Sequence, residues 1–273
     1  MEGAQRVIKG FAIAFAVMII VSIVSVCVGA GMILSRVFLP DGQDVSGWQE
    51  TVMDEGLRYT ELEIKLETTS LRIERGEKFE VLADEEIIEL HQEGERMKIV
   101  EKDFGMFNNW NKAGGEVKVI LPEGVALRRA VLDMGAGVMY AHGLVVEDLD
   151  LDMGVGRVEF DEIKVTHVVK VDGGAGLLVM KNAELRDLSL DMGVGKVEFN
   201  GDLMGNNEID AGMGKLELRL ARSEKEYKFI LNKGLGGLSL NGRGLGSEEL
   251  IGDGEDVVKI SGGVGAIEIT TKE

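Results

Sequence analysis

"LDMGVGRVEF" spans Leu151 to Phe160, and "LDMGVGKVEF" spans Leu190 to Phe199. The two phrases differ at one position and begin 39 residues apart. Either the phrase binds something, or it turns the chain. The columns around it decide. Aligned on the residue that opens each copy, the phrase recurs at Asp133, Asp152, Asp172, Asp191, Asp210, Asn232 and Ser261, with spacings of 19, 20, 19, 19, 22 and 29. Such a period is the mark of a repeat architecture.

Three columns are apolar in every copy. One residue before the anchor stand Leu132, Leu151, Val171, Leu190, Ile209, Leu231 and Ile260. Six after it stand Met139, Val158, Leu178, Val197, Leu216, Leu238 and Ile267, and eight after it Ala141, Phe160, Met180, Phe199, Leu218, Leu240 and Ile269. Charged residues such as Arg157, Glu159, Lys196 and Glu198 lie between them. This alternation is that of strands with one buried face. The expected fold is all-β: a single β-solenoid, parallel β-helix-like, of 19–20-residue coils. No coil can bury its apolar side alone, so coils must stack, about 4.8 Å apart. Seven would form a rod of roughly 34 Å. The longer last gap, "NGRGLGSEELIGDGED", reads as a loop inserted into one coil. A β-sandwich is the rival, and the Asn-Gly pairs at Asn200 and Asn241 are the hairpin signals in its favour.

The apolar phase slips at the second glycine of each phrase: Gly137, Gly156, Gly176, Gly195, Gly214, Gly236 and Gly265. Glycine accepts positive φ, so these are expected structural corners. The first glycine, as in Gly154 and Gly193, removes a side chain where strands bend or approach closely. Stacking would align Asp133, Asp152, Asp172, Asp191 and Asp210. Two charges about 4.8 Å apart in water repel by only about 0.9 kcal/mol, so a solvated row is tolerable. The same row is the one candidate metal site, for Ca²⁺, because carboxylates are hard ligands. Calcium-binding nonapeptide solenoids place Asp after the glycines, whereas here it precedes them. No cofactor is otherwise implied. A nucleotide is not expected, since Gly154-Val155-Gly156 leads into a strand and lacks the third glycine of a dinucleotide fingerprint.

Composition narrows the partners. The 273 residues carry a net charge of -18, which disfavours nucleic acid. Proline is nearly absent, with 2 residues, while glycine reaches 38, which suits strands with glycine corners. The lone cysteine, Cys27, allows no internal disulfide.

The N-terminus reads as a membrane anchor. Residues 10–34, "GFAIAFAVMIIVSIVSVCVGAGMIL", contain no charge. As a helix they would measure roughly 37 Å, enough to cross a hydrocarbon core of about 30 Å. Arg6 and Lys9 precede the stretch, and Asp41, Asp44 and Glu50 follow it. The positive-inside rule then puts residues 1–9 in the cytoplasm as a short tail, with the body extracytoplasmic. Cleavage as a signal peptide after Val28-Gly29-Ala30 is the alternative. Residues 35–56 read as a polar linker and 57–271 as the solenoid, with regular repeats over 130–271.

Taken together, "VKVILPEG" (Val117–Gly124), "LDMGAG" (Leu132–Gly137), "LDLDMGVGRVEF" (Leu149–Phe160) and "LSLDMGVGKVEF" (Leu188–Phe199) resemble the putative-adhesin, β-strand-repeat family of bacterial envelope proteins. The resemblance covers about residues 57–271. It implies a single-pass membrane protein with an exposed role in adhesion or envelope stress. Its partners would be envelope or surface proteins or polymers. It supplies no catalytic motif.

A carbohydrate-active β-helix enzyme would need a converging carboxylate pair, whereas these carboxylates recur coil by coil. His91, His142 and His167 are too scattered for a metal motif. Trp48 and Trp110 lie outside the regular repeats. The aromatic-bearing segment Asp103–Gly115 is the best candidate for ligand contact. The expectation is a non-catalytic, mostly monomeric body. Its open last edge would be blunted by Lys272 and Glu273.

Overall fold

A computed structural model describes residues 49–51, 59–103 and 115–273. The expected cytoplasmic tail, the span 10–34 and most of the linker lie outside the described residues. So do Cys27, Trp48, Trp110 and the interior of the 103–115 segment. No helix among the described residues is long and apolar enough to cross a membrane.

The described chain is all-β, with sixteen strands in one sheet. Seven are long: β8 (Leu127–His142), β9 (Val145–Asp161), β10 (Lys164–Arg186), β11 (Leu188–Met204), β12 (Asn206–Ser223), β13 (Tyr227–Leu240) and β16 (Asp256–Lys272). Each contains one copy of the repeated phrase. They pair in parallel and copy against copy: Asp133 opposite Asp152, Asp152 opposite Asp172, Asp172 opposite Asp191, and Asp191 opposite Asp210. All seven residues of each of the three apolar columns are buried, Phe160 and Phe199 among them. They belong to a single core that runs from Tyr59 to Ile269.

Departures from the regular spacing show as bulges. The copy at Asp172 lies 20 residues after the previous one, and the β9–β10 register shifts by one between Val165 and Val168. The extra residue is absorbed there, so Asp172 still meets Asp152.

Two short strands make the layer before β8. β2 (Glu61–Leu66) pairs with its first half and β3 (Ser70–Gly76) with its second. Beyond them lie β6 (Arg96–Glu101), paired with β2, and β7 (Glu116–Pro122), paired with β3. This end departs from the simple repeat. β5 (Ile88–Glu93) joins β6 as an antiparallel hairpin through Gly94, whose φ is 62°. β4 (Glu80–Ala83) runs antiparallel to β7. The linker is not wholly without structure, because β1 (Gln49–Thr51) pairs antiparallel with β4.

The far end corrects two expectations. Sequence order predicts that β13 stacks on β12 and that β16 is the exposed edge. Instead β16 lies between them: Asp210 pairs with Ser261, and Ser261 with Asn232. Lys272 and Glu273 therefore do not guard an open edge. That task falls to the inserted segment, which folds back on β13 as β14 (Arg243–Gly244) and β15 (Glu248–Ile251), both antiparallel. Asn241 and Gly242, with φ of 51° and 74°, make the β13–β14 hairpin turn. The other Asn-Gly pair forms no hairpin, since Gly201 sits inside β11 and pairs in parallel with β10 and β12.

Candidate functional site

The repeated phrase stacks into parallel rows, and each row has one physical character. The glycine rows come first. Six of the seven second glycines hold φ between 140° and 152°: Gly156, Gly176, Gly195, Gly214, Gly236 and Gly265. Gly137, against the irregular β2–β3 layer, does not have positive φ. A Cβ on Gly195 would lie 1.9 Å from the Gly176 carbonyl oxygen, whereas one on Gly137 would meet nothing closer than 3.7 Å. The first glycines are tight for the same reason: a Cβ on Gly154 would lie 2.3 Å from the Gly135 oxygen. The glycines thus let successive layers approach at the corner.

The aspartate row is solvent-facing. Asp152, Asp172, Asp191 and Asp210 are exposed and Asp133 is partly so. Asp172 is paired with Lys170 at 2.9 Å. Burial, then the charges of Asp133, Asp172 and Asp150, push the Asp152 carboxyl above its ordinary range. The carboxylates stand side by side along a line rather than around a point. Among the described residues no three His, Cys, Asp or Glu side chains form a group that could hold a metal ion.

One residue past the second glycines' row begins an ion-paired surface. Arg157 holds Glu159 at 2.6 Å, Lys196 holds Glu198 at 2.7 Å and Glu217 at 3.0 Å, and Lys215 holds Glu217 at 2.7 Å and Glu268 at 2.9 Å. Lys215 and Lys196 together draw the Glu217 carboxyl down to about 2. A carboxylate so held is a fixed charge at neutral pH rather than a proton donor.

The histidines are dispersed. His91 lies 3.4 Å from Glu89, His142 lies 3.5 Å from Asp161, and His167 lies 3.9 Å from Asp148. His142 does line a hollow of about 360 Å³ with Arg75, Glu123 and Glu162. The guanidinium of Arg75 is committed there to the backbone, donating to the carbonyls of Gly143, Pro122 and Val125.

One row was missed in reading the sequence. Three residues after each anchor, between the two glycine rows, stands an apolar side chain that faces solvent. Val155 is 37% exposed, Met213 51% and Leu235 75%. The apolar entries recur in the sequence at fixed spacing, so the signal was present. It was hidden because alternation breaks at the glycines and gives no facing for the residue between them.

No family model matches the sequence, and no curated protein matches it. Several solved structures resemble it. A putative cell adhesion protein of Clostridium sporogenes is 20% identical, with 82% of this chain and 99% of that one covered and a TM-score of 0.43. A putative adhesin of Bacteroides fragilis is 12% identical, with 81% and 95% covered and a TM-score of 0.49. A putative adhesin of Parabacteroides distasonis is 12% identical, with 84% and 98% covered and a TM-score of 0.38. Likeness at this level assigns the chain neither a family nor a function.

Proposed function

We propose that this chain is a non-catalytic β-solenoid, anchored in the membrane by residues 10–34, with an adhesin-like binding role outside the cytoplasm. The observation that carries the reading is the copy-on-copy pairing of the repeated phrase. Lys164, the first residue of β10, pairs with Val145, the first residue of β9, yet only two residues separate the strands. A straight strand of 17 residues would span roughly 55 Å, and two linking residues reach only about 7 Å. This supports a path in which each layer curls round to where it began, as a solenoid coil does.

The binding role rests on the surface. Beyond the second glycines the lysines and arginine of the repeats are matched with glutamates in rows, as Glu217 is held by Lys215 and Lys196. A long face of regular rows suits contact with an extended partner, such as an envelope protein or polymer.

The test uses intact host cells making the full chain with a C-terminal epitope. The expected results are external protease removing the epitope and the purified full chain binding isolated envelopes saturably. An epitope protected until lysis would overturn the extracytoplasmic placement. Release of sugar fragments from envelope polysaccharide would favour the carbohydrate-enzyme reading instead.

A further inference from the structure

The solvent-facing apolar row is continuous. Strand pairing sets Val155 beside Ala136 and Ala175, then Ala175 beside Val194, Val194 beside Met213, Met213 beside Val264, and Val264 beside Leu235. The exposure of the larger members grows toward the β13 end: 37% at Val155, 36% at Val194, 51% at Met213 and at Val264, and 75% at Leu235. Glycine rows flank it on both sides, so no neighbouring side chain covers it. Scattered exposed apolar residues need no explanation, but an ordered and contiguous row does.

The charges on either side of the row point to an occupant. On one side is the anchor row: Asp152, Asp191 and Asp210, then Ser261 and Asn232. On the other side, two residues past the apolar row, stand Arg157, Lys196 and Lys215, then Ala266 and Gly237. Layer by layer, an acid stands across the ridge from a base, and where the acid becomes neutral the base does too. Two of the five acidic layers depart from this, because Val138 stands across from Asp133 in β8 and Leu177 across from Asp172 in β10. Among the described residues Asp133, Asp152, Asp191 and Asp210 make no ion pair, while the three bases hold only the glutamates on their far side.

We propose that the apolar row is the contact between two copies of this chain, related by a two-fold axis along the stacking direction. That operation lays the ridge of one copy on the ridge of the other. It exchanges left for right while keeping each layer at its own height. Asp152, Asp191 and Asp210 then face Arg157, Lys196 and Lys215 of the second copy, and neutral layers face neutral layers. The opposite two-fold, with the stacks antiparallel, would set the aspartate rows against each other. A strip about 30 Å long and about 15–20 Å wide covers roughly 450–600 Å² per copy, at the low end for specific interfaces, so the pairing is weak and reversible.

The test is disulfide trapping of the full-length chain in a Cys27→Ser background. Separate variants carry Val155→Cys, Leu235→Cys or, as an exposed position off the ridge, Val168→Cys. Parallel pairing brings each ridge position against its own copy. Mild oxidation should therefore link V155C to V155C and L235C to L235C, and leave V168C unlinked. Adding Met213→Lys and Val264→Lys should abolish the V155C link while the circular dichroism stays β-type. Equal linking at V168C would overturn the proposal. So would linking of V155C only when mixed with V264C, which is the antiparallel signature. It would also be overturned if the lysine variants kept their self-association but lost binding to phosphatidylcholine vesicles, because the row would then be a lipid-facing surface.

Discussion

Arg222 Nη1 lies 2.7 Å from Asp256 Oδ2, joining the end of β12 to the first residue of β16. The same guanidinium donates through Nε to Asp202 of β11 at 2.7 Å and stacks 4.8 Å from the centre of the Tyr227 ring at the start of β13. The Tyr227 hydroxyl donates to Asp202 at 2.9 Å. Arg222, on β12, therefore touches β11, β13 and β16, and the last two are the strands whose order departs from that of the sequence. This cluster ties together the strands at the place where β16, rather than β13, lies beside β12.

Removing that clamp should be costly. Arg222→Ala leaves three carboxylates, Asp202, Asp256 and the more distant Glu226, without this cation and strips one face from the Tyr227 ring, for an expected loss of about 2–4 kcal/mol. Arg222→Lys should recover only part of it, since an ammonium cannot reproduce the fork. Urea unfolding monitored by circular dichroism measures both. Wild-type stability in Arg222→Ala would show that the layer order is held elsewhere.

The glycine corners allow a comparison within one row. Gly195→Ala would place a Cβ 1.9 Å from the Gly176 oxygen at a φ of 148°. The expected loss is at least about 2 kcal/mol, from strain and displaced backbone. At Gly137 the nearest atom to a new Cβ is 3.7 Å away and φ is not positive. Gly137→Ala should therefore stay within about 0.5 kcal/mol of wild type. Thermal melts of the two variants decide whether backbone approach, rather than glycine content, fixes the corner.

Most of the fold was legible because its period is local. Leu190, Val197 and Phe199 announce an inward face, and Gly195 announces the slip between its two halves. The layer order was not legible. Spacing along the chain shows that Asn232 and Ser261 open equivalent phrases, but not which of them Asp210 meets. That choice depends on long-range groups such as Arg222 and Asp256, which carry no periodic signal. The irregular end was equally hidden. β4 and β5 pair antiparallel, and short alternating strands look alike in either direction. Of the candidate site, the Asp row could be read from the sequence, but the exposure of Met213 and Leu235 could not.

The Asp152 carboxyl, pushed up by burial and by its acidic neighbours, is easier to protonate in the folded state than in the unfolded one. Its charge therefore works against folding above its folded pKa, and the penalty fades as pH falls through that value. Asp152→Asn should raise the melting temperature at pH 7. The gain should shrink with added salt, because the site is exposed. A drop in melting temperature would mean that the charge has a partner, such as a bound cation.

Glu101 of β6 ties down the corner between β2 and β3 near the other end of the sheet. Its carboxylate accepts the backbone N–H groups of Glu67, Thr68 and Thr69 at 2.8, 2.9 and 3.0 Å, and the Thr68 hydroxyl at 2.8 Å. These donors lie at the corner between β2 and β3, one layer before the regular repeats. Burial would push the Glu101 carboxyl up, but the bonds from Thr68 and Thr69 outweigh it and hold the group below its ordinary range. A lowered folded pKa gives stability that is present above the unfolded value, about 4.3, and is lost as pH falls through the folded one. Glu101→Gln keeps one oxygen for the three N–H groups but removes the negative charge they are gathered around and forces the Thr68 hydroxyl to turn from donor to acceptor, which should cost about 1–3 kcal/mol at pH 7. The gap between wild type and Glu101→Gln should then narrow as pH is lowered below 4, because the wild type loses what the variant never had. A gap that stays constant from pH 7 to acid would show that Glu101 acts by shape alone, leaving its charge no part in tying down that corner.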